Sequence, residues 1–378
     1  MPENRPLIFD HQASLEELAG VGKNRRFDEI IDDEENEGIQ VICRRPNPTA
    51  KDDTDKYLDV HLAKPSRAFY FGDRELYIEE SKRFGKQEKE RILNTDQFRN
   101  NVQVFEELKR SCQRGFVIPF VGAGMSVSAG LPTWTGYMLR LCRDAGLDQT
   151  AMEERLGTTS DYEGAINDII EKLGVKRFER DFERDFALPE TITGPVTLLP
   201  KLFNRCAITT NFDRVLEKVY EQEEAHFLDK VTGRGSSNAF YRAIPAGDRY
   251  LLKLHGNIDN ARERVLLRSE YESAYGPGNN IHFESPLPIL LKRLFVSYSF
   301  LFLGCSLAAD RTILTFMKVA QELGGDQLPH HYSVLECPAR LQAKELIDQR
   351  LADAHITPLW YPEGEHEHVE QILELLRD

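Results

Sequence analysis

Cysteine is scarce in this chain and never clustered. The six residues Cys43, Cys112, Cys142, Cys206, Cys305 and Cys337 form no Cys-x-x-Cys pair. The opening Met1-Pro2-Glu3-Asn4-Arg5 lacks the apolar core of a signal peptide. Together these read as reduced thiols in a cytoplasmic protein rather than a disulfide framework. Long apolar runs are missing too. The longest, around Leu294 to Ala309, is interrupted by Ser297, Ser299 and Gly304. It is too short and too broken to span a bilayer and is expected to be a buried strand. Positive charge is in short supply: 48 Lys and Arg face 62 Asp and Glu, a net charge of −14. That balance argues against nucleic-acid binding by the whole surface, which needs cations to replace counterions. Two short basic pieces, Lys23-Asn24-Arg25-Arg26 and Arg44-Arg45, are too small to reverse that expectation. No internal repeat and no low-complexity tract is present.

What is present suggests one large domain with an added module. The 378 residues allow either that or two domains. Residues 1 to about 110 differ from the rest. They hold the acidic run Asp32-Asp33-Glu34-Glu35-Asn36-Glu37, the turn-rich Arg45-Pro46-Asn47-Pro48 and a charged stretch from Glu79 to Arg91. The cluster Ala68-Phe69-Tyr70-Phe71 argues against full disorder. An N-terminal module, α+β or partly irregular, is therefore expected over 1–110, with a role in oligomerisation or partner docking. Phe98, Val102, Phe105, Leu108 and Cys112 recur at helical spacing and predict an amphipathic helix leading into the next strand.

From residue 111 to 378 strand and helix signals alternate. Strands are expected at Phe116–Val121, Ala207–Thr209, Tyr250–Leu254, Phe300–Leu303, His331–Leu335 and Ile356–Tyr361. A mostly helical insertion is expected from about 135 to 203, and Phe212, Val215, Leu216 and Val219 mark one face of a further helix. Such alternation implies an α/β fold with a doubly wound, Rossmann-like parallel sheet. Four short motifs lie where apolar runs stop: Gly122-Ala123-Gly124-Met125-Ser126, Thr209-Thr210-Asn211-Phe212-Asp213, Lys253-Leu254-His255-Gly256 and Gly304-Cys305-Ser306. Ligands of open α/β sheets bind beyond the carboxyl ends of the strands. The common placement carries more weight than a lone Gly-x-Gly. Taken singly, Asn211 and Asp213 read as helix caps and His255 as a structural histidine. His366 and His368 read as the start of a solvated helix rather than metal ligands.

In this order the motifs resemble the sirtuin NAD-binding signature. Gly122 to Ser126 with Ala129-Gly130-Leu131-Pro132-Thr133-Trp134 is similar to its glycine loop. Thr209 to Asp213 is similar to its Thr-x-Asn-x-Asp segment, His255-Gly256 to its His-Gly, and Gly304-Cys305-Ser306 to its Gly-x-Ser. The resemblance covers roughly residues 112 to 363. Two departures stand out. Deacetylase sirtuins carry a four-cysteine zinc module between the last two motifs, whereas no cysteine lies between Cys206 and Cys305 here. The Pro-Asp-Phe-Arg expected after the glycine loop is Pro132-Thr133-Trp134-Thr135. Both resemble the sirtuin-like NAD hydrolases of bacterial anti-phage defence.

That resemblance implies an NAD glycohydrolase releasing nicotinamide and ADP-ribose, with NAD as substrate and no metal. A zinc-free protein deacylase and a non-catalytic nucleotide-binding scaffold are the alternatives. Asn211 could hold a water or a ribose hydroxyl, and His255 could accept a proton from either. By resemblance Asp213 would bind the nicotinamide carboxamide. Gly122, Ala123, Gly124 and Ser126 would line the pyrophosphate, and Gly304, Ser306 and Glu336 would face the adenosine ribose. A homo-oligomer is expected, gated by a protein partner. The resemblance to effectors of Nezha-type systems makes that partner a HerA-type ATPase.

Overall fold

The computed structural model describes residues 7–10, 25–33, 41–47, 49–51, 56–62, 65–94, 96–159, 161–203, 205–232, 242, 246–278, 280–308 and 310–377. Lys23, Asn24, the Glu34–Glu37 part of the acidic run, Pro48 and Ala309 lie outside these residues, as does the side chain of Phe71. The chain forms two compact units, residues 1–92 and 93–377.

The first unit holds a small mixed sheet. Strand β1 (Leu7–Asp10) runs parallel to β2 (Val41–Pro46), and β2 runs antiparallel to β3 (Tyr57–Leu62). Helices Arg25–Ile31, Pro65–Gly72 and Arg74–Ile92 accompany it. Their aromatic residues gather around the buried Tyr77, whose ring lies 5.4 Å from Phe27, 5.6 Å from Phe69 and 5.2 Å from Tyr70. Such offset and edge-on contacts add to the area that each ring buries. This unit is α+β.

The second unit is built on a seven-stranded sheet. Its strands are β4 (Val117–Val121), β5 (Ala207–Thr209), β6 (Asp229–Thr232), β7 (Tyr250–Lys253), β8 (Ser299–Leu303), β9 (His331–Cys337) and β10 (Ile356–Pro362). They lie in the order β10-β9-β8-β4-β5-β7-β6, and every neighbouring pair is parallel. Parallel strands need both faces covered, and β4 and β8 are buried throughout. The chain winds from β4 outward through β5 to the edge, then returns to place β8 on the other side of β4. That reversal creates a crevice at the carboxyl ends of β4 and β8.

The core follows from the sequence patterns. Phe120, Phe300, Phe302 and Phe316 pack together, with Phe120 and Phe302 rings 4.9 Å apart. Each such buried ring contributes about 1.5–3 kcal/mol relative to exposure. The helix Asn101–Gln113 buries Val104, Phe105 and Leu108. Between β4 and β5 run the helices Trp134–Asp144, Gln149–Glu154, Tyr162–Leu173 and Val175–Asp185. They share a core of Tyr137, Ile166, Ile169, Phe178 and Phe182, which also receives Phe212.

Two elements differ from expectation. The run from Leu294 to Ala309 is not one strand. Its first residues close a helix, Pro286–Ser297, that starts on Pro286 and buries Leu287, Leu290, Leu291, Leu294 and Phe295. Proline in a first turn and apolar residues three and four apart favour a helix there. Strand β6 has no strong sequence signal because it is an edge strand of only four residues, Asp-Lys-Val-Thr. His368 is the second residue of the last helix, Glu367–Arg377, and is buried rather than solvated, pairing with Asn94 at 3.1 Å. No helix among the described residues is long and apolar enough to cross a membrane.

Candidate functional site

Every residue singled out from the sequence lies at or just beyond the carboxyl end of a strand in the second unit. The glycine loop comes first. β4 ends at Val121, and Ala123–Ala129 forms a 3-10 helix in place of a full α-turn. The loop is laced to the end of β8. The Gly122 N–H donates to the Leu303 carbonyl at 2.8 Å and the Gly124 N–H to the Gly304 carbonyl at 2.9 Å. A Cβ on Gly122 would lie 2.5 Å from the Gly304 oxygen, and one on Gly304 would lie 2.4 Å from the Met125 nitrogen. Gly304 also has φ +63°, a left-handed conformation. These glycines serve close packing between two loops, and the amides of Gly122 and Gly124 are already committed to carbonyls. Their backbones line the crevice without donating into it.

The next loop carries the densest polar cluster. The Thr209 hydroxyl donates to the Val121 carbonyl at 2.8 Å and accepts from the Asn211 N–H at 3.0 Å, fixing the turn after β5. Asn211 Nδ2 then donates to Ser126 Oγ at 3.4 Å, and Ser126 Oγ donates to Asp213 Oδ2 at 3.1 Å. Asp213 Oδ1 accepts from the Val215 N–H at 2.9 Å, where the helix Val215–Gln222 begins. Capping and site chemistry thus fall on one carboxylate, whose oxygens each keep a second lone pair. Asn211, Ser126 and Asp213 are all buried, and burial raises the Asp213 carboxyl above its ordinary pKa.

Lys253 holds this loop against the next one. The side chain is 1% exposed and its Nζ donates to the carbonyls of Phe212 (3.4 Å) and Asp213, to Glu217 Oε1 (3.2 Å) and to Asn257 Oδ1 (3.2 Å). A buried ammonium persists only with such a set of acceptors. Burial lowers its pKa, with Glu217 and Asp213 opposing the shift. Backbone bonds complete the join, from Leu254 N–H to Thr209 at 2.9 Å and from Ile258 N–H to Phe212 at 3.0 Å.

His255 follows directly and is 8% exposed. Its Nε2 pairs with Tyr275 Oη at 2.9 Å and its Nδ1 with Tyr271 Oη at 3.4 Å. Burial lowers its pKa to about 4, so the ring is neutral at pH 7. Both tyrosines come from the helix Arg268–Tyr275, four residues apart and so on one face. Neither drew notice in the sequence, and nor did Lys253 within its motif. A lysine closing the apolar run Tyr250-Leu251-Leu252 was the available signal.

The remaining residues sit further along the sheet. Ser306 is exposed, and its Oγ accepts from the Ala308 N–H at 3.5 Å. Glu336, near the end of β9, accepts from the Gly364 N–H at 2.6 Å and so turns toward the loop after β10. The structure joins Ser126, Asn211 and Asp213 directly and ties His255 to them through the backbone. Glu336 and Ser306 stand apart from that cluster.

Parts of the chain are similar to known proteins. The chain is 26% identical over 219 residues to the NAD(+) hydrolase ThsA of Bacillus cereus (strain MSX-D12), covering 56% of this chain and 41% of that relative. ThsA of Enterococcus faecium is 24% identical over 234 residues, covering 60% and 45%. Defense-associated sirtuin 2 of Bacillus subtilis is 23% identical over 274 residues, covering 71% and 25%. The chain spans less than half the length of these curated relatives. Residues 205–359 match the SIR2-like domain family, a stretch that holds Asn211, Asp213, His255, Gly304, Ser306 and Glu336. β4, which leads into the glycine loop, pairs with β5 and β8 inside the same sheet. From Arg205 to Leu359, therefore, this chain is similar to SIR2-like domains.

Proposed function

We propose that this chain is an NAD hydrolase that cleaves the nicotinamide–ribose bond, giving nicotinamide and ADP-ribose, and that it acts in the cytoplasm as an anti-phage defence effector by depleting NAD. The observation that carries this reading is the meeting of Ser126, Asn211 and Asp213 beyond the carboxyl ends of β4 and β5, with a neutral His255 at the end of the neighbouring strand β7. The names of the relatives, NAD(+) hydrolase and defence-associated sirtuin, support it.

The chemistry asks little of an acid. Nicotinamide leaves NAD as a neutral molecule from a cationic precursor, so the site must mainly hold an oxocarbenium-like transition state and admit one water. Asn211 offers both a donor and an acceptor for that water or for a ribose hydroxyl. His255 takes up the proton. Asp213 receives the carboxamide N–H on its spare lone pair, and Gly304, Ser306 and Glu336 face the adenosine ribose. No zinc enters this scheme, because the thiolate quartet of deacetylases has no counterpart between Cys206 and Cys305.

A base with a pKa of about 4 is weak at neutral pH. We therefore infer that His255 gains basicity only when the site changes on activation. Assembly of a homo-oligomer and docking of a HerA-type ATPase are the proposed triggers. The test is incubation of the purified chain with NAD, with and without an acyl-lysine peptide. Nicotinamide and ADP-ribose without peptide support the reading. Dependence on the peptide makes the chain a deacylase, and binding without turnover makes it a scaffold.

A further inference from the structure

Both ring nitrogens of His255 are occupied, yet unequally. Tyr275 Oη lies 2.9 Å from Nε2 and 3.1 Å from Thr312 Oγ1, and Tyr275 is fully buried. Tyr271 Oη lies 3.4 Å from Nδ1, at the limit of a useful hydrogen bond, and Tyr271 is only half-buried. A neutral imidazole has one N–H and one lone pair. One arrangement satisfies all four groups and leaves a nitrogen ready to act as a base. Nε2–H donates to Tyr275, Tyr275 donates to Thr312, and Tyr271 donates to the lone pair on Nδ1. A water or ribose hydroxyl entering the site would be an O–H donor of the same kind as Tyr271, and it can take that place only when Tyr271 leaves.

We propose that Tyr275, backed by Thr312, is a positioning residue that fixes His255 with its proton on Nε2, and that Tyr271 is a displaceable latch whose hydroxyl occupies Nδ1 until a substrate hydroxyl replaces it. The inference rests on the hydrolase reading, which asks for a lone pair that substrate can reach on His255, but its tautomer is measured without turnover. The helix bearing both tyrosines is anchored where a latch needs a fixed hinge. Glu270 accepts from the Leu266 and Leu267 amides at 2.9 Å at its start, and Arg311 donates to the Gly276 carbonyl at 2.6 Å at its end. Arg311 is in turn held by Glu163 through two bonds of 2.5 and 2.7 Å. The backbone stays in place while the half-buried Tyr271 side chain turns away. When the proton of the arriving hydroxyl passes to Nδ1, the ring becomes an imidazolium that still donates from Nε2 to Tyr275. No proton has to move along the Tyr275–Thr312 arm.

The test uses the full chain with nitrogen-15-labelled histidine, His255 being assigned by difference against His255→Ala. In the wild type at pH 7 the ring is expected as the Nε2–H tautomer. Tyr271→Phe keeps that tautomer, and Tyr275→Phe gives a mixture. In NAD turnover, Tyr271→Phe raises kcat/KM by up to about tenfold, the worth of one competing hydrogen bond. Tyr275→Phe lowers kcat by about tenfold with little change in KM. An Nδ1–H tautomer in the wild type overturns the proposal, as does an unchanged tautomer in Tyr275→Phe. Equal loss of turnover in both variants overturns the latch. A wild-type chain that binds but never cleaves NAD defeats the hydrolase reading alone, and the tautomer measurements still decide the assignment of the two tyrosines.

Discussion

At the scale of single residues, two side chains carry the proposed chemistry and one of them also shapes stability. Replacing Asn211 or His255 by alanine is expected to lower NAD cleavage by about two to four orders of magnitude while the chain stays folded. Turnover with circular dichroism on each variant checks this, and near-normal rates in both folded variants would remove the assignment. His255 adds a pH signature. Its folded pKa, about 4, lies below its ordinary 6.5. Between those values the unfolded chain binds more protons than the folded one. Stability is therefore complete above pH 6.5 and falls as the pH drops toward 4, by about 3 kcal/mol in all. Asp213 acts in the opposite sense, since its raised pKa costs stability as the pH rises through the folded value. Denaturant titrations of wild type and His255→Gln from pH 7 to pH 4 separate the two. The gap between them should move in favour of the variant on acidification.

At the scale of elements, the joint between the loops after β4 and β8 decides the shape of the crevice. It is made by glycines because backbone must meet backbone. Gly304→Ala meets both a left-handed φ and the Met125 nitrogen at 2.4 Å. Gly130→Ala is a matched comparison, with φ +88° and nothing within 4 Å of the added carbon. The backbone term of about 1–2 kcal/mol is common to both. Overpacking adds about 1–3 kcal/mol to the first alone. Urea midpoints should therefore place Gly304→Ala well below Gly130→Ala, and equal midpoints would show that the loops yield freely.

At the scale of the whole molecule, the proposals concern assembly. Residues 1–92 carry their own sheet and aromatic cluster, and residues 93–377 carry the site. The full chain is expected to be a homo-oligomer by light scattering. A chain starting near Leu93 should lose that state if the first unit holds the interface, and an unchanged oligomer would place the interface on the sheet unit. NAD turnover is expected to be low for the chain alone and to rise when a HerA-type ATPase is added. A shift of a few kcal/mol between closed and open sites is enough for such control. Full activity that no partner alters would end the case for gating by assembly.

Much of this was legible before any coordinates. The doubly wound sheet is written in the alternation of apolar runs with helical spacing, because a strand buried on both faces must be apolar throughout. Asn211, Asp213, His255 and Gly304 were visible because each follows such a run directly. Tertiary structure decided what local pattern could not express. Strand β6 exists because β7 offers it a pairing edge, and the helix Pro286–Ser297 absorbs apolar residues that read equally well as strand. Lys253, Tyr271 and Tyr275 entered the site only through partners far along the chain. Their roles depend on hydrogen bonds to Asp213, His255 and Thr312, and distance in sequence says nothing about such bonds. The sequence by itself determined where the loops would fall; folding decided which polar groups face one another there, because a buried donor or acceptor must find its partner in three dimensions.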